Sequence, residues 1–185
     1  MCGRYVSSKE TSSVAAAYDV DQESVEPVWP GSFSIAPTTS APVVLEDADD
    51  TGVVTRRLEV ASWGLRPHWL DEKRRGFHNA RIETAGSKPA FRTAVARRRA
   101  VVPMSGYYEW VAQTDGKQPF YIHPADETGL LSAAGLYELD KDLAGEWRLT
   151  FTVLTRTGVD AAGVVHDRMP VFLDEPAWRA WIAPG

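Results

Sequence analysis

The chain carries one cysteine in 185 residues, at position 2, and that placement admits a chemistry no internal cysteine has. A second residue this small permits removal of Met1, after which the chain begins with a free α-amine and a thiol two bonds along, a 1,2-aminothiol. The α-amine titrates at about 7.7–8.0 against about 10.4 for a lysine, so near neutral pH its nucleophilic free base is on the order of 300-fold more populated. Such an amine condenses with an aldehyde to an imine, and the neighbouring sulfur can add to the imine carbon and close a five-membered thiazolidine. An internal cysteine, its nitrogen tied up in an amide, cannot do this. A thiol with an ordinary pKa of about 8.5 needs only modest help from nearby cations to supply thiolate. The same position also suits a blander role, a small buried apolar residue at the start of a strand.

Other chemistries find little support. The sequence has no glycine-rich phosphate loop, no GxSxG elbow and no cysteine pair. His68, His78, His123 and His166 lack the paired spacing of a zinc site and have a single thiol to join them. No metal and no cofactor is expected. A lone cysteine fits a reducing compartment, and neither a secretory leader nor an apolar run of bilayer length occurs, so a soluble, cytoplasmic protein is expected. The formal net charge of −5 weighs against a general polyanion binder. Arg92 and Arg97 to Arg99, Arg56 with Arg57, and Lys73 to Arg75 are nevertheless clustered; each cluster reads as the solvated face of an element or as a local groove for phosphates.

The elements that must position this chemistry read as one domain over residues 1–185. Residues 7–20 look helical, with Ser7 and Glu10 at capping-box spacing and Val14, Ala17 and Tyr18 on one face. APVVLE and GVVTRRLEVASW flank the turn DADDTG as strands of a hairpin expected to be the most solvent-exposed. WGLRPHWLDEKRRGFHNARIET has no sustained period and reads as an ordered loop running into a short strand. KPAFRTAVARRR follows as a helix with Pro89 near its first turn and its arginines away from the apolar side. RAVVPMSGYYEWVAQTDGKQPFYIHP gives strand, hairpin and strand, turning at Asp115–Gly116. LLSAAGLYEL and WRLTFTVLTR are further strands, and DEPAWRAWIA closes the chain as a helix capped by Asp174, with Trp178, Trp181 and Ile182 as a core-facing stripe. The fold class expected is α+β, a curved, barrel-like mixed or antiparallel sheet flanked by helices.

MCGRY, WGL, HNARIET, SGYYEW and VVHDRMP occur in this order. Together they resemble the SRAP (SOS response-associated peptidase) family over essentially the whole chain. The resemblance implies a protein of the DNA damage and SOS response that binds single-stranded DNA and traps abasic sites, with lyase-type Schiff-base chemistry. It implies that Cys2 forms the thiazolidine crosslink, that Asn79 holds the lesion or the N-terminal residue by hydrogen bonds, that Glu109 is the catalytic carboxylate near the terminal amine, and that His166 assists sugar-ring opening and imine formation. Arg4, Arg81 and Arg168 match positions that meet phosphates or shape the pocket. Pro37 matches a further family motif, in which asparagine commonly stands where this chain has Ser34. Trp69 is a candidate to stack on or wedge beside a base, whereas Trp63 is expected in the core. The implied partner is single-stranded DNA containing abasic sites, met by a monomer that is nucleoid-associated when bound.

These residue types suit the chemistry on their own terms. An abasic sugar is mostly a closed hemiacetal, so opening it needs one proton delivered and another removed, which an imidazole can do near neutral pH. A carboxylate such as Glu109 suits deprotonation of the amine and departure of water, while an amide such as Asn79 orients without transferring protons. Two alternatives stay open: a thiol peptidase, perhaps self-processing, with Cys2, His166 and Glu109 as nucleophile, base and orienter, and a non-catalytic single-strand binding module.

Overall fold

A computed structural model of the chain describes residues 2–20, 28–126, 128–142, 144–159 and 165–184. Its centre is a ring of five strands: β3 (Ser40–Ala48), β4 (Val54–Trp63), β6 (Arg99–Met104), β9 (Leu131–Lys141) and β10 (Trp147–Thr157). They pair in the circuit β10, β4, β3, β6, β9 and back to β10, so the sheet closes on itself and leaves no central edge. All pairings in the circuit are antiparallel except β10 with β4, which makes the barrel mixed. β5 (Asn79–Arg81) adds in parallel to β10, while β11 (Arg168–Pro170) and β12 (Phe172–Leu173) add antiparallel to β10 and β9. A second sheet of four strands, in the order β2 (Ser32–Ile35), β1 (Tyr5–Ser7), β7 (Gly106–Gln113) and β8 (Gly116–Ile122), extends from the barrel. The barrel-like α+β expectation is met.

The barrel forms because its strands are apolar on both faces. Val43 and Leu45 of β3 point inward with Ala100, Val102 and Met104 of β6 and Phe151 and Val153 of β10, around Tyr5, Trp63 and Tyr107. The intervening Val44 and Val101 point outward, where α1 (Thr11–Ala17) and α4 (Glu175–Ile182) cover them with Val14, Tyr18, Trp178 and Ile182. This two-residue alternation is the strand period, here buried on both sides. Leu136 and Leu154 face a third cluster with Leu65, Ala85 and Phe91, supplied around α2 (Ile82–Ala85) and α3 (Arg92–Arg97). α4 follows its sequence signals: Asp174 Oδ1 accepts the Ala177 N–H at 3.0 Å, Trp178 packs edge-on against Tyr18 at 5.1 Å, and Trp181 Nε1 donates to Ala100 O at 3.0 Å.

Three readings change. Ser7 ends the strand Tyr5–Ser7 and does not start a helix, and its buried side chain caps nothing; α1 begins only at Thr11. Pairing of Tyr5 with both Ile35 and Tyr107 captures the segment into a sheet that local periodicity does not announce. The β3–β4 hairpin is exposed only toward its turn, because β3 is a barrel wall; the exposed strand is β8. The helix expected from Lys88 narrows to α3, and its basic run is largely committed: Arg98 pairs with Glu138 at 2.7 Å, and Arg99 donates to Ala183 O at 2.6 Å with its guanidinium over Trp181.

One close approach sets the position of β5. Leu65 and Phe77 exchange backbone hydrogen bonds of 3.0 and 2.9 Å, which folds the long loop back on β4 and delivers the chain to Asn79. A Cβ at Gly76 would lie 2.1 Å from Gly64 O, so only glycine fits that crossing.

Candidate active site

Cys2 lies just ahead of β1 and is fully buried in the cluster that fills the barrel, with Tyr5, Trp63 and Tyr107. Burial pushes its thiol up to about 12, and the negative charge of Glu109 adds to the effect; the Arg4 N–H and the amino terminus oppose it. A desolvated thiol resists ionisation, so the modest cationic help expected to supply thiolate is outweighed and the resting sulfur is a neutral thiol.

Asn79 comes to this point on β5, in register with Val153 of β10. Its Nδ2 donates to Cys2 O at 2.6 Å, a bond between residues far apart in sequence that fixes the N-terminal segment against the barrel. Its Oδ1 is buried and makes no hydrogen bond among the described residues, so the amide is half used. Neighbouring His78 is held through its backbone oxygen, which accepts from Trp63 Nε1 at 2.7 Å and from Val153 N at 3.1 Å. Burial, and then the positive amino terminus, hold the His78 imidazole below its usual range, which keeps it neutral at pH 7.

Glu109 arrives on β7. Strand alternation turns Tyr107 and Glu109 toward the barrel and Tyr108 and Trp110 outward, leaving Glu109 3 % exposed. Burial pushes its carboxyl up, against the attraction of the positive amino terminus, here still that of Met1, and of His166. Glu109 thus feels both the amino end and His166. His166 precedes β11 and is partly exposed; its Nδ1 lies 2.9 Å from the Arg168 N–H and 2.8 Å from Asp167 Oδ1. The backbone N–H is a fixed donor and the Asp167 carboxylate an acceptor, so both hold the ring at the Nδ1 edge and leave Nε2 on the opposite side.

The residues proposed for DNA contact divide into groups. Trp69, half exposed, and the exposed Arg81 line a groove of about 620 Å³ together with Asn79, Lys88 and Phe91, so stacking and cationic side chains share a wall with the Cys2 partner. Arg4 Nη1 donates to Ser34 Oγ at 2.9 Å, and Pro37 sits in the turn after β2 that Thr39 closes onto Ala36 O at 2.7 Å. Ser34, at the family's asparagine position, therefore has a use as the anchor of Arg4. Arg168 differs: it is 9 % exposed, and its fork is already engaged with Glu83 at 2.8 and 2.9 Å and with Thr155 O at 2.6 Å. It braces β11, and hence His166, against α2 and β10 rather than presenting a free fork to a phosphate.

Sequence reading passed over two features. One is His78, visible only as a lone histidine beside Asn79. The other is the outer face of the β7–β8 hairpin, where Tyr108 and Tyr121 lie 5.0 Å apart, Tyr121 stacks on His123 at 5.1 Å and Trp110 is exposed. Its only trace in the sequence is the aromatic alternation around Glu109.

Comparison with known proteins gives the family of the chain. Residues 1–185 match the family described as SOS response associated peptidase (SRAP). The chain is 30 % identical to the abasic site processing protein YoqW of Bacillus subtilis, with all of this chain and 81 % of that protein aligned. It is also 30 % identical to the abasic site processing protein YedK of Escherichia coli, covering 98 % of this chain and 79 % of the relative. A crystal structure of a protein from Bacteroides thetaiotaomicron superposes with a TM-score of 0.82 at 27 % identity, over 99 % of this chain and 82 % of that one. The chain belongs to the SOS response associated peptidase family.

Proposed function

We propose that this protein processes abasic sites in single-stranded DNA by covalent capture at Cys2 after Met1 is removed. The α-amine attacks the aldehyde carbon of the ring-opened sugar, water leaves as the imine forms, and Cys2 Sγ adds to the imine carbon to close a thiazolidine. The observation that carries the reading is the hydrogen bond from Asn79 to Cys2 O, which fixes the buried Cys2 beside the start of the chain; the buried Glu109 also feels the positive charge of the terminus, here still that of Met1, and of His166. The names of the relatives, abasic site processing proteins, point the same way.

Each group has a chemical task. Glu109, raised by burial, can give a proton to the departing water and take one from the amine. His166, held at Nδ1 by the Arg168 N–H, would turn Nε2 to the sugar-ring oxygen to assist ring opening. Asn79 would offer its uncommitted Oδ1 to a sugar hydroxyl. Trp69 and Arg81 would hold the flanking strand by stacking and by phosphate contact. Neutrality of the buried thiol favours amine-first attack over a thiol peptidase, which needs thiolate at the outset.

Incubation of the Met1-free protein with an abasic oligonucleotide is expected to give an adduct that survives denaturation. Cys2→Ala and N-acetylated protein should give no thiazolidine. Thiazolidine formation by acetylated protein would contradict the amine-first reading.

A further inference from the structure

Around Cys2 stand two phenols that the reaction as described does not use. Tyr5 of β1 and Tyr107 of β7 are directly opposed across the antiparallel pair, so their side chains share the face turned into the barrel. Both residues are fully buried, and neither hydroxyl makes a hydrogen bond among the described residues. Their rings are fixed by other contacts, Tyr5 edge-on to Trp63 at 5.1 Å and Tyr107 tilted on Phe172 at 5.7 Å, so packing alone does not call for the oxygens. Burying an unpaired hydroxyl is costly, and here two are buried at one place. Both phenols belong to the cluster that buries Cys2, neither hydroxyl is hydrogen-bonded to Sγ in the resting structure, and burial and then negative charge at Cys2 hold both above their ordinary range.

We propose that the Tyr5 and Tyr107 hydroxyls are hydrogen-bond donors for Cys2 Sγ in the ring-closing step. This rests on the capture reaction proposed above and concerns its second half. Once the imine exists, the carbon–sulfur bond forms, the carbon–nitrogen π pair passes to nitrogen, and the proton lost from sulfur ends on that nitrogen; no oxidant or reductant is involved. Between those events the sulfur carries negative charge in a dry site beside Glu109. The charged and titratable groups facing it are Glu109 and Tyr107 from β7, Tyr5 from β1 and the amino terminus itself, with His166 and His78 acting on that same terminus and carboxyl. Glu109 opposes the sulfur charge, whereas O–H donors hydrogen-bonded to it would favour it. The phenols remain protonated throughout, because burial suppresses their own ionisation.

Tyr5→Phe and Tyr107→Phe test this, since each keeps the ring and removes the oxygen. Met1-free protein and abasic oligonucleotide are mixed with and without cyanoborohydride, which reduces the imine to an amine that retains a free thiol. After denaturation, alkylation and intact mass then distinguish the reduced adduct from the thiazolidine. Each variant should melt no lower than wild type, form imine at an unchanged rate and close the thiazolidine about tenfold or more slowly, with reduced adduct accumulating instead. A lower melting temperature would show that the hydroxyl has a structural partner, and an unchanged ring-closing rate in both variants would show that the sulfur does not need them; either result overturns the assignment. Absence of any adduct from wild type would remove the capture reaction itself, and the role of the phenols with it.

Discussion

At the scale of single residues, the site trades stability for reactivity. Cys2 and Glu109 each sit where burial opposes the charged form, and the charge of Glu109 raises the cost of charge on Cys2. Glu109→Gln should therefore have opposite effects on two measurements. Imine formation should slow by about 100-fold or more, the usual scale for loss of a positioned acid–base group. Stability should change in the other direction, with a sign set by linkage. Below the ordinary carboxylate range both folded and unfolded Glu109 are protonated, and the charge-related difference between variant and wild type vanishes. As pH rises, the unfolded chain ionises first and the folded carboxyl resists, so wild type loses stability relative to the variant until pH passes the raised folded value. Denaturant titrations at pH 4 and pH 8 should show the variant gaining on wild type between the two; a variant that loses ground at pH 8 would contradict a raised Glu109.

At the scale of elements, three-residue strands position the chemistry. β1 carries Tyr5 and follows Cys2, β5 carries Asn79 and β11 follows His166. Such strands are held by partners rather than by their own pattern, which is why Tyr5–Ser7 reads as the approach to a helix until Ile35 and Tyr107 are placed beside it. Long strands and α4 are legible because their apolar period repeats: VVL in β3, alternation in β10, and a tryptophan stripe behind an Asp cap in α4. Candidate site residues were legible as motif positions, but not their states. Nothing in VVHDRMP announces that Arg168 is bound to Glu83, and MCGRY allows a buried cysteine and a reactive one alike, whereas the structure shows the thiol buried. The Gly76 crossing that delivers β5 makes this scale testable. Gly76→Ala should destabilise the fold by about 2 kcal/mol, a typical overpacking cost, and should weaken adduct formation by displacing Asn79. Full activity and full stability together would mean that the crossing does not position β5.

At the scale of the whole molecule, a net charge of −5 does not oppose the proposed contact with single-stranded DNA, because a local field steers a ligand and many of the other arginines are committed internally. Arg56 pairs with Glu46, Arg57 with Asp47 and Glu59, Arg98 with Glu138, and Arg66 and Arg148 share Asp140. Arg81 and Lys88 instead line the groove beside Asn79. Arg81→Ala should weaken reversible binding of single-stranded DNA and lower the slope of log affinity against log salt by about 0.7, the value for one lost phosphate contact, without changing the melting temperature. Arg168→Ala should lower the melting temperature, because it breaks the brace to Glu83 and Thr155. Reversal of these two outcomes would reassign both arginines. Everything above turns on whether the amino end itself is the reagent, and intact mass spectrometry of the protein–oligonucleotide adduct tests that most directly. The expected mass is protein without Met1 plus abasic oligonucleotide less one water, with no thiol left to alkylate after denaturation. The same adduct from protein that retains Met1, or from Cys2→Ala, would contradict it.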